Sequence, residues 1–488
     1  MAIRRLMLVA ILVAVIPTVT RAQFELVIAN GRVVDPESSL DGLRHVGIDG
    51  GSIVAVSTSA LEGQTVIDAA GQIVAPGFID IHSHTPSQLG GYLQVLDGVT
   101  TQLDLEAGAF PVGFYGEHFK GGSSINYGAS VAHFAIRIKV IEGRSQPYLF
   151  TGFSAMAPGA AFVQPATAEQ IAQMRVLLHE GLDQGGLGIG LLLDYMTQAI
   201  EPSELSMVFE VAAERGVPVI VHVRRGVAGD PAGLMEVVDL ARATGAGMLV
   251  CHINHSAMGE IAHWLDVIDQ ANEAGASIVT ETLSYPAGGT SISADVFNRN
   301  WQEIFDITYE DVQWTATGEW LTKETWQKYR TEQPTGMINH HYVKEPWMQT
   351  AMRWPRMMIS SDGTPALDRD VKANPNVAGT FARWLGRYVR DQKVTSLSDG
   401  LARVSLYPAQ WLAGFAPGFA RKGRVQVGAD ADIVVFDPNT IAANASYADP
   451  YQTSTGIRHV VVNGRQVVAD GALVVGRYPG RRLLATDD

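Results

Sequence analysis

Six side chains in this sequence have the types and spacing of a metal-dependent hydrolytic site. His82 and His84 stand two apart in DIHSH, a spacing that turns both imidazoles of a strand to one side. Glu106 follows in LDLEAG, with Asp104 two residues earlier as the rival carboxylate. His222 closes VIVH, His252 follows LVC, and Asp362 follows MISS. Imidazoles and carboxylates together suit Zn²⁺, so His82, His84, His222 and His252, with Glu106 or Asp104 as a carboxylate, are the expected ligands of one or two zinc ions. Asp362, at the end of the last strand-like run, is a carboxylate that could take and pass on a proton. A single histidine at a strand end is more often structural than ligating. The signal here is that all six residues end strand-like runs.

Those runs cover 74–81, 100–105, 126–134, 186–192, 217–221, 247–251, 277–282 and 356–359. Between several of them lie amphipathic stretches such as EQIAQMRVLLHEGLDQG and SELSMVFEVAAERG. Buried strands alternating with helices imply a parallel sheet, and eight of them imply a (β/α)₈ TIM-like barrel. In such a barrel the carboxyl ends of the strands converge on one face, which would gather the six residues. Both ends of the chain have another texture. FELVIANGRVVD and IRHVVVNGRQVVADG set short apolar runs around Asn-Gly turns, the mark of antiparallel strands. A small β-sandwich domain is therefore expected from 23–75 and 416–488, with the barrel over 76–415. From about 286 to 350 the rhythm breaks in a segment rich in Trp, Tyr, Thr and charge, read as a lid-like insertion.

The first residues carry Arg4 and Arg5, then an unbroken apolar run over 6–16, then Thr20-Arg21-Ala22. This is the pattern of a secretory signal peptide over 1–22, with a mature chain starting at Gln23. An exported protein, periplasmic or secreted, is expected, with no stable membrane insertion after processing. A net charge of −14 argues against a nucleic-acid surface, which needs clustered Lys and Arg. Cys251 is the only cysteine, so no internal disulfide is possible, and its apolar setting reads as a buried structural thiol.

APGFIDIHSHT, GVTT, VIVHVR, the first His of LVCHINH and ISSDGTP resemble the metal motifs of the amidohydrolase superfamily. Within it, the chain is similar to the D-aminoacylase group, the N-acyl-D-amino-acid and N-acyl-D-glutamate deacylases. Supporting stretches are VAHFAIR, LSYPAGGT, VAGTFARWLGRYVRD and RKGRVQVGADADIVVFDP, and the likeness runs from about 25 to 471. It implies a barrel with a β domain from both termini and a substrate-covering insertion after Tyr285. The group typically has a Cys ligand near the end of the second strand, where this chain offers Glu106. The fourth strand, GGLGIGLLLDYM, has no Lys to carbamylate. A His-Pro-Arg motif whose Arg grips the substrate carboxylate is replaced by Asn374-Pro375-Asn376, and a Lys beyond the sixth strand by Asn254. A carboxylate substrate would then need another cation, Arg224 or Arg225.

The chemistry implied is hydrolysis of the amide of an N-acyl-D-amino acid by metal-activated water, with Asp362 as general base and acid. Arg224, Tyr285 and His133 are the expected substrate-binding residues, His133 or Tyr285 facing the developing oxyanion. The partner is a small N-acyl molecule, and a homo-oligomer is left open. Two other readings remain: an amidohydrolase acting on a dipeptide, cyclic amide or lactone, and a non-catalytic binding protein on a decayed barrel.

Overall fold

In a computed structural model of the chain, residues 23–149 and 159–486 are described. The signal peptide expected at 1–22 lies outside them. No helix among the described residues is long and apolar enough to cross a membrane.

Eight parallel strands form the barrel: Phe78–Asp80, Val99–Ala109, Asn126–Ala132, Ile189–Leu192, Val219–His222, Met248–Val250, Ile278–Leu283 and Met358–Ser360. They are neighbours in chain order, as short βαβ connections favour. The first and eighth meet just beyond their ends, where Asp362 N–H donates to His82 O (2.8 Å) and His84 N–H to Gly363 O (3.0 Å). Ring closure therefore joins the HxH segment directly to the segment that carries Asp362. Ile79, Ile81, Leu103, Leu105, Leu187, Ile220, Leu249, Cys251 and Met358 pack in one buried cluster among the strands. Cys251 belongs to that packing, and burial pushes its thiol well above the ordinary range.

The helices begin and end where local chemistry allows. Ala168–Asp183 starts at a capping box in which Thr167 and Gln170 satisfy each other's backbone N–H groups. Pro202–Arg215 opens on a proline and stops at Gly216, whose φ of 63° suits a residue without a Cβ.

The run expected at 74–81 is two strands. Ile73–Pro76 joins a nine-stranded sheet to which both ends of the chain contribute, pairing with Ile433–Phe436, while Phe78–Asp80 opens the barrel. Gly77 separates them, and a Cβ there would come within 2.2 Å of the Thr100 side chain. Within the expected insertion, Ala287–Ser291, Val312–Trp314, Glu319–Trp320 and Met337–His341 form a four-stranded sheet of their own.

Candidate metal centre

The second barrel strand does not run straight to its end. Its pairing with the third strand shifts register between Asp104 and Ala109, and Gly108 takes φ of +70°. A bulge of this kind re-aims side chains. Here it separates the two acids that simple alternation would stack on one face. The backbone around Glu106 can sit so close to the fourth strand because Gly190 lies opposite: a Cβ there would be 2.4 Å from Glu106 O.

Glu106 lies at the centre of four imidazoles. Its Oε2 is 3.3 Å from both His82 Nε2 and His84 Nε2, and its Oε1 is 2.9 Å from both His222 Nδ1 and His252 Nε2. The nitrogens of each pair are 3.1 and 3.0 Å apart, and Asp362 Oδ1 stands 3.5 and 3.6 Å from the first pair. Two sets of ligand atoms thus share one carboxylate, an oxygen for each. Tetrahedral zinc with bonds near about 2.1 Å holds its ligand atoms about 3.4 Å apart, close to these spacings.

The outward sides of the rings decide what the inward sides can be. His82 Nδ1 faces Glu281 Oε1 at 2.9 Å, and His84 Nδ1 faces Asp104 at 3.1 Å. A carboxylate only accepts, so each Nδ1 carries the proton, and in the neutral rings two Nε2 lone pairs point at each other. Such an arrangement requires positive charge between them. The same demand shows in the proton affinities. Burial alone would lower that of His82, but Glu106 and Asp362 outweigh it and hold it well above its usual value. For His84, burial is outweighed by Asp104 and Glu106, to about 10. Glu106 itself is raised by burial but held well below the carboxylate range by His82 and His222. The donor set fits a divalent cation, which would displace those protons.

The supporting carboxylates are themselves anchored. Asp104 accepts from Tyr148 Oη (2.7 Å) and from the backbone N–H groups of Ala107 and Gly108, and so orients His84. Glu281 accepts from Ser360 Oγ and from the backbone N–H of His252 (2.5 Å). Glu281 was missed in sequence because it lies inside the seventh strand rather than at its end.

Asp362 has φ of 47°, an unusual conformation for a non-glycine residue and a common mark of functional sites. Burial raises its proton affinity, against the pull of His82, His252 and His84. It lines a cavity at the barrel mouth together with His84, Glu106, His222 and His252.

The three expected substrate residues are not in that cavity's lining. His133 begins the helix His133–Glu142 instead of ending a strand, and its buried Nε2 lies 3.0 Å from Glu204. Tyr285 is buried, donating from its hydroxyl to Ala445 O (3.1 Å) with Arg383 over its ring. Arg224 turns to Glu236 and donates to the carbonyls of Thr197 and Ile200. In their place the cavity is lined by Arg225, Asp194, Tyr195, His255 and His340, with Leu149, Leu192, Val296, Phe305 and Met337 as an apolar wall. Asp194 lies two residues past the fourth strand in LLLDYM, as Asp362 lies two past the eighth, so the rule that marked the candidate ligands also marks this residue. Asn254 and Asn376 brace backbone: Asn254 exchanges hydrogen bonds with Leu283, and Asn376 donates to Ser361 O (2.7 Å).

No family model matches the chain. Among curated proteins it is 29% identical over 486 residues to the N-acyl-D-glutamate deacylase of Alcaligenes xylosoxydans xylosoxydans, covering 94% of this chain and 96% of that one. It is 27% identical over 505 residues to the D-aminoacylase of the same organism, covering 95% and 98%. The N-acyl-D-glutamate deacylase of Bordetella bronchiseptica, solved with zinc and a phosphonate mimic of the tetrahedral intermediate, superposes with a TM-score of 0.75. It is 26% identical and is covered over 100% of its length, against 95% of this chain. A D-aminoacylase described as defining a novel subset of amidohydrolases superposes with a TM-score of 0.77 at 24% identity, covering 94% of this chain and all of the other.

Proposed function

We propose that this chain, a relative of the D-aminoacylase and N-acyl-D-glutamate deacylase group, is a zinc-dependent hydrolase of N-acyl-D-amino acids. The observation that carries the reading is the single carboxylate of Glu106 shared by two pairs of buried imidazoles, with Asp362 beside them at the mouth of a barrel. Relatives along nearly the whole chain act on N-acyl-D-amino acids by name, which supports the substrate class.

When bound, zinc supplies Lewis acidity, polarising an amide carbonyl and lowering the pKa of water. His82, His84, Glu106, His222 and His252 would hold it. Asp362 does the proton work: its carboxylate accepts a proton from the attacking water and delivers it to the leaving amine nitrogen. Tyr195 donates or accepts with Thr290 Oγ1 at 3.1 Å, which fixes its hydroxyl on the cavity wall. The apolar wall excludes water from the reacting bond. An exported location is part of the proposal and is supported by the basic, apolar and small-residue pattern of 1–22 alone.

A screen of N-acetyl D- and L-amino acids with added zinc checks the reading. The expected result is release of acetate from D-substrates and much slower release from L-substrates. Turnover of dipeptides, cyclic amides or lactones, with none of the acetylated D-amino acids, would replace it by the broader amidohydrolase reading.

A further inference from the structure

Arg225 is the only Lys or Arg lining the cavity among the described residues. Its side chain is 9% exposed, and its Nη1 donates to Asp194 Oδ2 at 2.9 Å and lies 2.6 Å from His222 Nε2. One imidazole ring therefore separates this guanidinium from the metal-facing nitrogen of His222. Asp194 does not belong to Arg225 alone. It also accepts from Arg299 Nη2 at 2.6 Å, so one carboxylate serves two guanidiniums. Burial would raise Asp194, but His222, Arg225 and Arg299 outweigh it and keep it ionised. Arg225 Nε is buried and has no hydrogen-bond partner among the described residues. A buried N–H without an acceptor is costly and is usually met by a ligand or water.

The other polar groups on the wall cannot replace this charge. Burial, then Arg225, lowers His340 to about 3, and burial with His252 and Arg225 lowers His255 well below its usual value, so both rings are neutral at pH 7. Asn254 and Asn376 are buried, carry no charge, and do not line the cavity.

We propose that Arg225 binds the carboxylate of the substrate, so that selectivity for an acidic N-acyl compound is set by the loop after the fifth barrel strand. A charged, planar guanidinium on the cavity wall matches a carboxylate as neutral histidines and asparagines do not. This rests on the N-acyl-amino-acid reading above. It goes further by assigning carboxylate recognition to a residue outside the motif positions that the resemblance names.

The test compares a panel of N-acetyl-D-amino acids with their C-terminal carboxamides, on zinc-loaded wild type, Arg225→Gln and Arg225→Lys. Both kcat/KM and calorimetric affinity are measured, with zinc content assayed in each protein. Wild type is expected to prefer acid over amide. Arg225→Gln should lower that ratio about 10- to 100-fold, in line with loss of a charge-assisted hydrogen bond, and Arg225→Lys should recover part of it. A parallel fall for acid and amide that leaves the ratio intact, or loss of zinc, would overturn the proposal and make Arg225 a support of His222. No binding of either form would overturn it too. Acid-selective binding without any turnover would keep Arg225's role while removing the hydrolase reading. Turnover without acid preference would do the reverse.

Discussion

Glu106→Ala is expected to strip the centre of metal at micromolar zinc, because it removes one ligand atom from each pair of imidazoles at once. Asp104→Ala acts differently. It leaves all five ligands in place and costs only the partner that orients His84, an outer contact worth about 10- to 100-fold in affinity. Zinc titration of the two variants should therefore show a much larger loss for Glu106→Ala. Hydrolysis should vanish in that variant and survive at saturating zinc in Asp104→Ala. If Asp104→Ala is the variant that empties, Asp104 is the ligand, and the bulge before Ala109 does not present Glu106 to the metal.

Asp362→Asn should abolish hydrolysis while the fold and most of the metal remain. The side-chain oxygen is 3.5 and 3.6 Å from the Nε2 atoms of His82 and His84, longer than the 3.3 Å separating either from Glu106. The histidines and Glu106 would thus supply most of the ligation. Ring closure through the Asp362 backbone N–H is untouched by the change, and Asn tolerates a φ near 47° as well as Asp does. What Asn cannot do is accept a proton at neutral pH. General acid–base groups contribute about 10² to 10⁴-fold, so kcat should fall by at least about a hundredfold. A rise in KM with kcat intact would show that Asp362 only holds substrate. Metal lost together with activity would make it primarily a ligand.

The barrel and the convergence of the candidate ligands were legible because each rule involved is local. Continuous apolar strands mark the barrel, and strand ends mark the mouth; His82, His84, Glu106, His222, His252 and Asp362 all come together there. The substrate side was less legible: His133, Arg224 and Tyr285 lie outside the cavity's lining, and the three placements share a cause. His133 was placed on a strand that stops at Ala132, so one residue of boundary sends its ring toward Glu204. Arg224 and Arg225 are neighbours just past a strand end, and the turn of the loop alone decides that Arg224 meets Glu236 while Arg225 lines the cavity. Tyr285 lies two residues past the seventh strand, and the C-terminal segment that takes its hydroxyl at Ala445 is 160 residues away in the chain. Glu281 shows the converse. Nothing in IVTETL distinguishes a buried strand acid from a ligand's support until His82 is seen 2.9 Å from it.

The most direct measurement is a zinc titration of chelator-stripped protein while release of acetate from N-acetyl-D-amino acids is followed. The account predicts no turnover in the stripped protein and recovery as zinc is added, reaching a plateau by one or two equivalents. Full turnover in the stripped protein, or stoichiometric zinc binding with no turnover of any D-substrate in the panel, would contradict it.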